Sequence, residues 1–512
     1  MRKLIRQFRE TMSPPVFLGA AGLILAFVVY GALFTAHAAA TFSLVQDAII
    51  GYFGWFYILS ASAILVFVVW LGVGRTGNIR LGGDHAQPEF HSLTWFTMLM
   101  AAGMGIGLVF FGVAEPIEHY LAPPVSQTRT PEAIREAMLL TFFHWGLHPW
   151  AIYIAIALPL AYFHFRHELP LAPRSLLYPL IGDRMYGWPG HLVDILCTVG
   201  TLFGVGTSLG LGAMQINSAL GLIAGVPGSL LVQLLIIAVI TTIATISVVT
   251  GLKIGIRRLS QLNVALAVVL LAFVFVAGPT VYILETFVSG IGQYLQNLPR
   301  ISFNVDTTAN GGWQRDWTLF YWSWWIAWCP FVGVFAARIS RGRTVRQFIL
   351  AMLLAPTLGG FFWFSVMGGS ALYIEQFGAG GIAGPSLEDE AFSLFALLQQ
   401  LPMTWLMSVL GMLVVVIFFI TSSDSGSLVD VMVTSGGHRH PPVAYRIFWC
   451  VAEGVVAATL LAAGGLVALR TASLTPALPM TVFLLVGCYG LARALRVDAQ
   501  TEGRPDVEDL VE

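Results

Sequence analysis

Apolar residues in this chain do not alternate with polar ones; they gather into long runs parted by short polar clusters. Twelve such runs stand out, at 16–35, 52–73, 93–113, 137–164, 192–223, 229–250, 260–285, 317–337, 347–375, 402–427, 443–464 and 474–494. A helix needs about 20 predominantly apolar residues to cross a bilayer, so the pattern predicts an all-α polytopic membrane protein of twelve transmembrane helices. The third run is unusual because Gly103, Gly105 and Gly107 alternate within it. Each glycine costs a helix interior roughly 0.8–1 kcal/mol relative to alanine. Unwound backbone at membrane depth is tolerated only inside protein or along a cavity, and such breaks build substrate and ion sites in secondary transporters. The competing reading of Gly103 and Gly107 is a small-residue face for helix packing; the spacing alone leaves both open.

Composition strengthens the membrane assignment. Of 512 residues 57% are hydrophobic and 10% charged, against about 25% charged in soluble domains, and the mean hydropathy is +0.79. With a net charge of −1 and no basic cluster, nothing tracks a phosphate backbone, so no nucleic acid partner is expected. Cys197, Cys329, Cys450 and Cys488 all fall within apolar runs and are expected to be free rather than paired or metal-bound. The first run is too long for a signal-peptide core and is read as a retained helix. Of the 26 Lys and Arg, all but Arg129, Arg135, Arg300, Arg315 and Arg470 fall on one side if the N-terminus is cytoplasmic. The positive-inside rule therefore places both termini in the cytoplasm.

Runs three to seven and eight to twelve make two sets of five. An odd number makes successive sets insert in opposite orientation, the inverted-repeat logic of many secondary transporters. The expected organisation is a basic N-terminus with two peripheral helices (1–92), a first five-helix repeat (93–285), an outer amphipathic helix and loop (286–316), a second repeat (317–494) and a short acidic tail (495–512).

Candidate chemistry sits at four places. Residues 142–153 (FFHWGLHPWAIY) and 320–331 (FYWSWWIAWCPF) concentrate aromatic side chains. Tryptophan usually marks the headgroup level, but Trp328 stands ten residues before Arg338, about 15 Å into the bilayer at 1.5 Å per residue. Trp324 and Trp325 share its helix face. Aromatic faces attract a quaternary ammonium ion, which has no N–H to donate, with about 2 kcal/mol or more in a dry site. We therefore read these rings as a cation box. The hydroxyl cluster of residues 418–427 (FFITSSDSGS) either bonds back to the preceding turn or supplies hard oxygen ligands to an alkali cation. Asp424 and Glu453, near span ends, are read as functional carboxylates or structural pairs. His144 and His148, lacking a third ligand, are read as packing or hydrogen-bonding residues. The basic loop 338–346 either anchors topology or gates. No nucleophile–base pair and no nucleotide-binding loop is found, so the chain is expected to be no enzyme and to draw energy from an ion or solute gradient.

The motifs 103–107 with Glu115 and Pro116, 145–153, 321–333, 338–343 and 418–425, with Pro441, Pro442, Arg446, Glu453 and Gly454, resemble the betaine/carnitine/choline transporter family over nearly the whole chain. The likeness is strongest to its sodium-coupled glycine betaine carriers. The resemblance implies a LeuT-type 5+5 inverted repeat preceded by two extra helices, a homotrimer, and a place in the bacterial cytoplasmic (inner) membrane among its lipid. It implies an onium box of Trp145, Trp150, Tyr153, Trp324, Trp325 and Trp328, with the substrate carboxylate at the backbone of Gly103, Met104, Gly105, Ile106 and Gly107. It implies no cofactor but sodium as coupling ion, held by Thr421 and Ser422 with carbonyls near Ala101, Met104 and Phe418. A second sodium site would use Thr201 and Phe331, but Val205 stands where another threonine hydroxyl belongs. Thr207 lies nearby. The acidic tail departs from the basic helix of osmosensing members. Gly107 stands where choline carriers carry an aspartate, which suits a zwitterion with its own carboxylate.

The expected function is sodium-coupled symport of glycine betaine or a similar small zwitterionic onium compound by alternating access, for compatible-solute uptake. The alternatives are proton-coupled choline import or carnitine-type exchange in the same family, and, in another class, an onium-binding sensor or channel.

Overall fold

The computed structural model describes residues 10–103, 105–250, 253–306, 312–437 and 442–501. Long apolar runs leave the backbone no partners but itself, and every long element is a helix. In chain order these are α1 (Pro14–Leu33), α2 (Thr35–Val73), α3 (Ser92–Gly103), α4 (Ile106–Leu121), α5 (Pro131–Trp145), α6 (Leu147–His167) and α7 (Trp188–Ala224). They continue as α8 (Leu230–Thr250), α9 (Lys253–Ala277), α10 (Thr280–Ser302), α11 (Phe320–Arg338), α12 (Val345–Phe377), α13 (Thr404–Thr434) and α14 (Val443–Thr501). The only bridge of strand type among the described residues joins Arg80 to Thr344.

Ten helices among the described residues are long and apolar enough to cross a membrane. Three differences from the twelve runs have physical causes. The third run is divided between α3 and α4 at its glycines, as its cost in helix propensity predicts. The fourth is divided as well, at Gly146. The last two are joined in α14, whose 59 residues would measure about 90 Å if straight. Gly464 and Gly465 leave helical geometry (φ 176°, ψ 19° and φ 57°, ψ −134°), and the chain doubles back there. Thr459 of the first limb meets Gly31 of α1. The second limb brings Leu469 to Gly210, Met480 to Gly200 and Asp498 to Arg166, antiparallel to α7.

Two further boundaries move. The expected outer amphipathic helix starts earlier, at Thr280, because Gly278–Pro279 ends α9. The hydroxyl-rich stretch expected to end run ten lies inside α13, which continues to Thr434. The loop after α11 is tied to the end of α2 and the loop after it: Gly342 N–H and Val345 N–H donate to Leu81 and Ile79 carbonyls, and Arg346 donates to the Gly72 and Gly74 carbonyls. Gly342 (φ 77°) permits this, since a Cβ there would lie 2.3 Å from Gln87 backbone.

Burial sorts the helices into shell and core. The apolar window of α9 is 17% buried and that of α1 is 22% buried, whereas the windows of α5–α6 and α11 are each 94% buried. The aromatic segments thus belong to the central helices and not to an interfacial belt. All four cysteines are buried and free.

Candidate functional site

Between the broken run and the tryptophan-rich helix lies a narrow cavity lined by Gly105, Gly107, Leu108, Trp145, Ser208, Trp324, Trp325 and Trp328. Its floor is the start of α4. Gly105 is extended (φ −150°, ψ −157°) and Ile106 opens the helix, so N–H groups without intrahelical partners and the positive end of a helix dipole face this region. Trp363 Nε1 holds the first turn by donating to the Leu108 carbonyl at 2.9 Å.

The walls are aromatic faces, and most of their polar edges are engaged by protein. Trp145 Nε1 donates to Glu115 Oε2 at 2.8 Å, Trp325 Nε1 to the His144 carbonyl at 3.1 Å, and Trp324 Nε1 to the Gly204 carbonyl at 3.3 Å. Trp324 and Trp325 are stacked, centroids 5.0 Å apart at 17°, and Trp145 meets Trp325 edge-on at 4.9 Å. Close approach depends on two glycines. A Cβ on Gly107 would lie 2.5 Å from Trp324 Cη2, and one on Gly204 2.4 Å from Trp328 Cδ1. Trp328 turns its Cη2 end toward Gly105 and its Nε1 edge toward Gly204 of α7, where the N–H is buried without a hydrogen-bond partner among the described residues.

Of the predicted box, Trp145, Trp324, Trp325 and Trp328 line the cavity, with Gly105 and Gly107. Tyr153 and Trp150 form a second row: Tyr153 lies 6.2 Å from Trp325, and Trp150 lies 5.5 Å from Tyr153. Ile106 turns toward α7, its Cδ1 3.0 Å from where a Gly212 Cβ would sit, and Phe419 of α13 closes on the same point. Ala101 and Gly103 fall at the end of α3; Met104 lies outside the described residues.

The predicted ion ligands divide. Thr421 Oγ1 donates back to the Ile417 and Phe418 carbonyls at 2.9 and 3.2 Å, the back-bonding alternative, while Ser422 is half-buried on the same turn. Thr201, Val205 and Phe331 are all buried. Thr207 donates to the Leu469 carbonyl at 2.9 Å and lies 3.1 Å from Ser473 Oγ, so its hydroxyl serves the α7–α14 contact. Asp424 pairs with Arg446 at 3.1 Å, and Glu453 accepts from Ser423 at 2.7 Å.

Sequence reasoning missed Ser208 and Leu108 as lining and, above all, what surrounds Glu115. This carboxylate is fully buried. Its Oε2 accepts from Trp145 and from the Tyr321 hydroxyl at 2.5 Å; its Oε1 faces His144 Nδ1 at 2.7 Å and His119 Nε2 at 3.2 Å. Thr318 Oγ1 meets the other His144 nitrogen at 2.9 Å. One ligand atom from each of Glu115, His119 and His144 lies within 4.8 Å of the others, close enough for a metal, but the carboxylate is already engaged by the indole and phenol. The arrangement is a hydrogen-bonded network. His148 has no partner for either ring nitrogen and stacks on Trp322 at 5.2 Å, a packing role.

Comparison with known proteins adds a family to this geometry. The model of the betaine/carnitine/choline family transporters matches residues 15–500. A glycine betaine transporter of Acinetobacter baylyi is 46% identical over 448 residues, 87% of this chain and 68% of that protein. The glycine betaine transporter OpuD of Bacillus subtilis is 44% identical over 446 residues, 86% of each chain. A glycine betaine/proline/choline transporter of Vibrio parahaemolyticus is 41% identical over 491 residues, 92% of this chain and 88% of that one.

Proposed function

Because this chain belongs to the betaine/carnitine/choline transporter family of multi-pass membrane proteins, we propose that it takes up glycine betaine, or a similar small zwitterionic onium compound, by sodium-coupled symport. The observation that carries this reading is the cavity itself, in which four tryptophans meet the start of α4. Trimethylammonium has no N–H and is held best by ring faces; a carboxylate is held best by a helix N-terminus. The two chemistries line one cavity. Three of the relatives, those of Acinetobacter baylyi, Bacillus subtilis and Vibrio parahaemolyticus, have names that include glycine betaine.

In this reading the coupling sodium is held by Thr421 and Ser422 on α13 with carbonyls of Phe418, Ala101 and Met104. Ion and substrate are coupled because Phe419 and Ile106 meet at Gly212, beside the helix break. A second sodium site at Thr201 and Phe331 would lack the hydroxyl that Val205 does not supply. The carrier works by alternating access in the bacterial cytoplasmic membrane, with both termini inside, and assembles as a homotrimer.

The test is uptake of labelled glycine betaine and choline into proteoliposomes under a sodium gradient or a proton gradient imposed separately. Sodium-driven betaine accumulation, lost on Ser422→Ala, supports the reading. Proton-driven choline accumulation overturns both the coupling ion and the role given to Gly107.

A further inference from the structure

Glu115 is a carboxylate in a dry interior with no Lys or Arg bonded to it among the described residues. Its Oε2 is taken by an indole N–H and a phenol O–H, both donors, and its Oε1 by two imidazole nitrogens. We assign the imidazole protons to the nitrogens facing Glu115. Four donors and no acceptor suit the charged form of a carboxylate. A buried charge without an opposite charge is costly, and the fold keeps this one one ring away from the cavity.

The ring in between is the point. Trp145 lines the cavity with one edge and donates to Glu115 with the other. Tyr321, the second donor, is stacked on Trp325 at 5.7 Å and 22° and tilted toward Trp324 at 6.3 Å. Hydrogen bonds polarise the groups they join. Donation to a carboxylate pushes electron density into the indole and phenol rings and deepens the negative faces that attract a cation. Arg470, the basic residue whose guanidinium lies over Trp317 and Phe320, is paired with Glu390 at 2.9 Å, and so does not neutralise Glu115.

We propose that Glu115 is the counter-charge of the substrate's onium group, acting through Trp145 and Tyr321 and setting the preference of the cavity for a cation over a neutral group of the same shape. Glu115 is a positioning residue: it does not line the cavity. The inference rests on the proposed function, which supplies the onium substrate.

The rival is a brace that only holds the two rings in place. Charge and shape are separated by a pair of ligands, glycine betaine and 3,3-dimethylbutanoate, in which a quaternary carbon replaces the nitrogen. Equilibrium binding of both to the purified full-length protein is followed by tryptophan fluorescence. Glu115→Gln is expected to weaken betaine about tenfold or more, the scale of a desolvated electrostatic contact, and to leave dimethylbutanoate unchanged. Glu115→Asp, which keeps the charge, is expected to recover part of the loss. Equal weakening of both ligands, or none, overturns the proposal. Should Glu115→Gln fail to fold, Tyr321→Phe keeps a ring that does not line the cavity and removes the hydroxyl link to Glu115. A loss confined to betaine supports the proposal, and an unchanged ratio overturns it. Wild-type protein that binds the two ligands equally overturns the onium reading, and this inference with it. Discrimination in the wild type that persists in the variants overturns this inference alone.

Discussion

A single hydrogen at Gly107 lets Trp324 lie across the first turn of α4, since a Cβ there would sit 2.5 Å from Trp324 Cη2 and 3.3 Å from Trp145 Cη2. Both contacts are rigid ring edges, so Gly107→Ala must push two walls of the cavity apart. Overpacking of this kind costs about 1–3 kcal/mol, and much of it falls on the bound state, where the rings close around the substrate. Betaine KM is expected to rise roughly tenfold, the equivalent of about 1.4 kcal/mol, with the amount of folded protein in the membrane unchanged. Uptake kinetics at matched expression would measure it, and a KM within twofold of wild type would remove Gly107 from the site. Trp328 offers its ring to the cavity, the Cη2 end toward Gly105. Trp328→Ala is therefore expected to lose an onium contact, and betaine affinity with it. Unchanged uptake affinity would show the box to be misassigned.

The break at Gly146 shows how an element is held by its neighbours. The Leu147 N–H, left without a helical partner by the break, donates to the Tyr294 hydroxyl at 3.0 Å, and Tyr294 belongs to α10, the outer amphipathic helix. Tyr294→Phe leaves that buried N–H unsatisfied, a cost of about 1–3 kcal/mol, just beside Trp145. A lower thermal unfolding midpoint in detergent is expected, and an unchanged midpoint would mean that the break needs no brace. The same comparison tells what was legible in the chain. Runs of apolar length were, because a bilayer leaves few alternatives. The break at 103–107 was, because three glycines in five residues are a strong local signal. Gly146 was not, because one glycine between Trp145 and Leu147 is tolerated in a helix and its partner lies 147 residues from Leu147 in the chain. The reversal at Gly464–Gly465 showed its two runs but not that they join without a polar loop. The hydroxyl cluster looked like a helix end, yet Thr421 back-bonds to its own turn and α13 runs on. The tryptophans of the box could be found from helical spacing. The network around Glu115 could not, because its four partners come from α4, α5 and α11, and only the fold brings them together.

The alternating access proposed above would require that each end of the molecule be closed by contacts weak enough to break. On the face with the basic loops, Arg166 ties Asp84 at 2.7 Å to Asp498 at 2.8 Å, joining the loop after α2, the end of α6 and the end of α14. On the opposite face Arg470 of α14 holds Glu390 at 2.9 Å while its guanidinium covers Trp317 and Phe320. Phe320 in turn stacks on Trp324 at 5.4 Å and 18°, so this clamp rests on the roof of the cavity. A partly exposed ion pair is worth about 1 kcal/mol or less, and 1 kcal/mol is a factor of about five in a two-state equilibrium. Arg470→Gln is therefore expected to shift the population toward a state open on that face. Ser208, buried in the cavity lining, is the place to observe it. The four native cysteines are buried and free, so Ser208→Cys adds a reactive thiol over a low background. A membrane-impermeant thiol reagent applied from the Arg470 side should label Ser208→Cys up to about fivefold faster when Arg470→Gln is also present, and no faster when Asp84→Asn is present instead. Equal labelling rates with and without Arg470→Gln would mean that the clamp does not bias the equilibrium between the two faces, and that the aromatic roof of Trp317 and Phe320 closes the cavity without it.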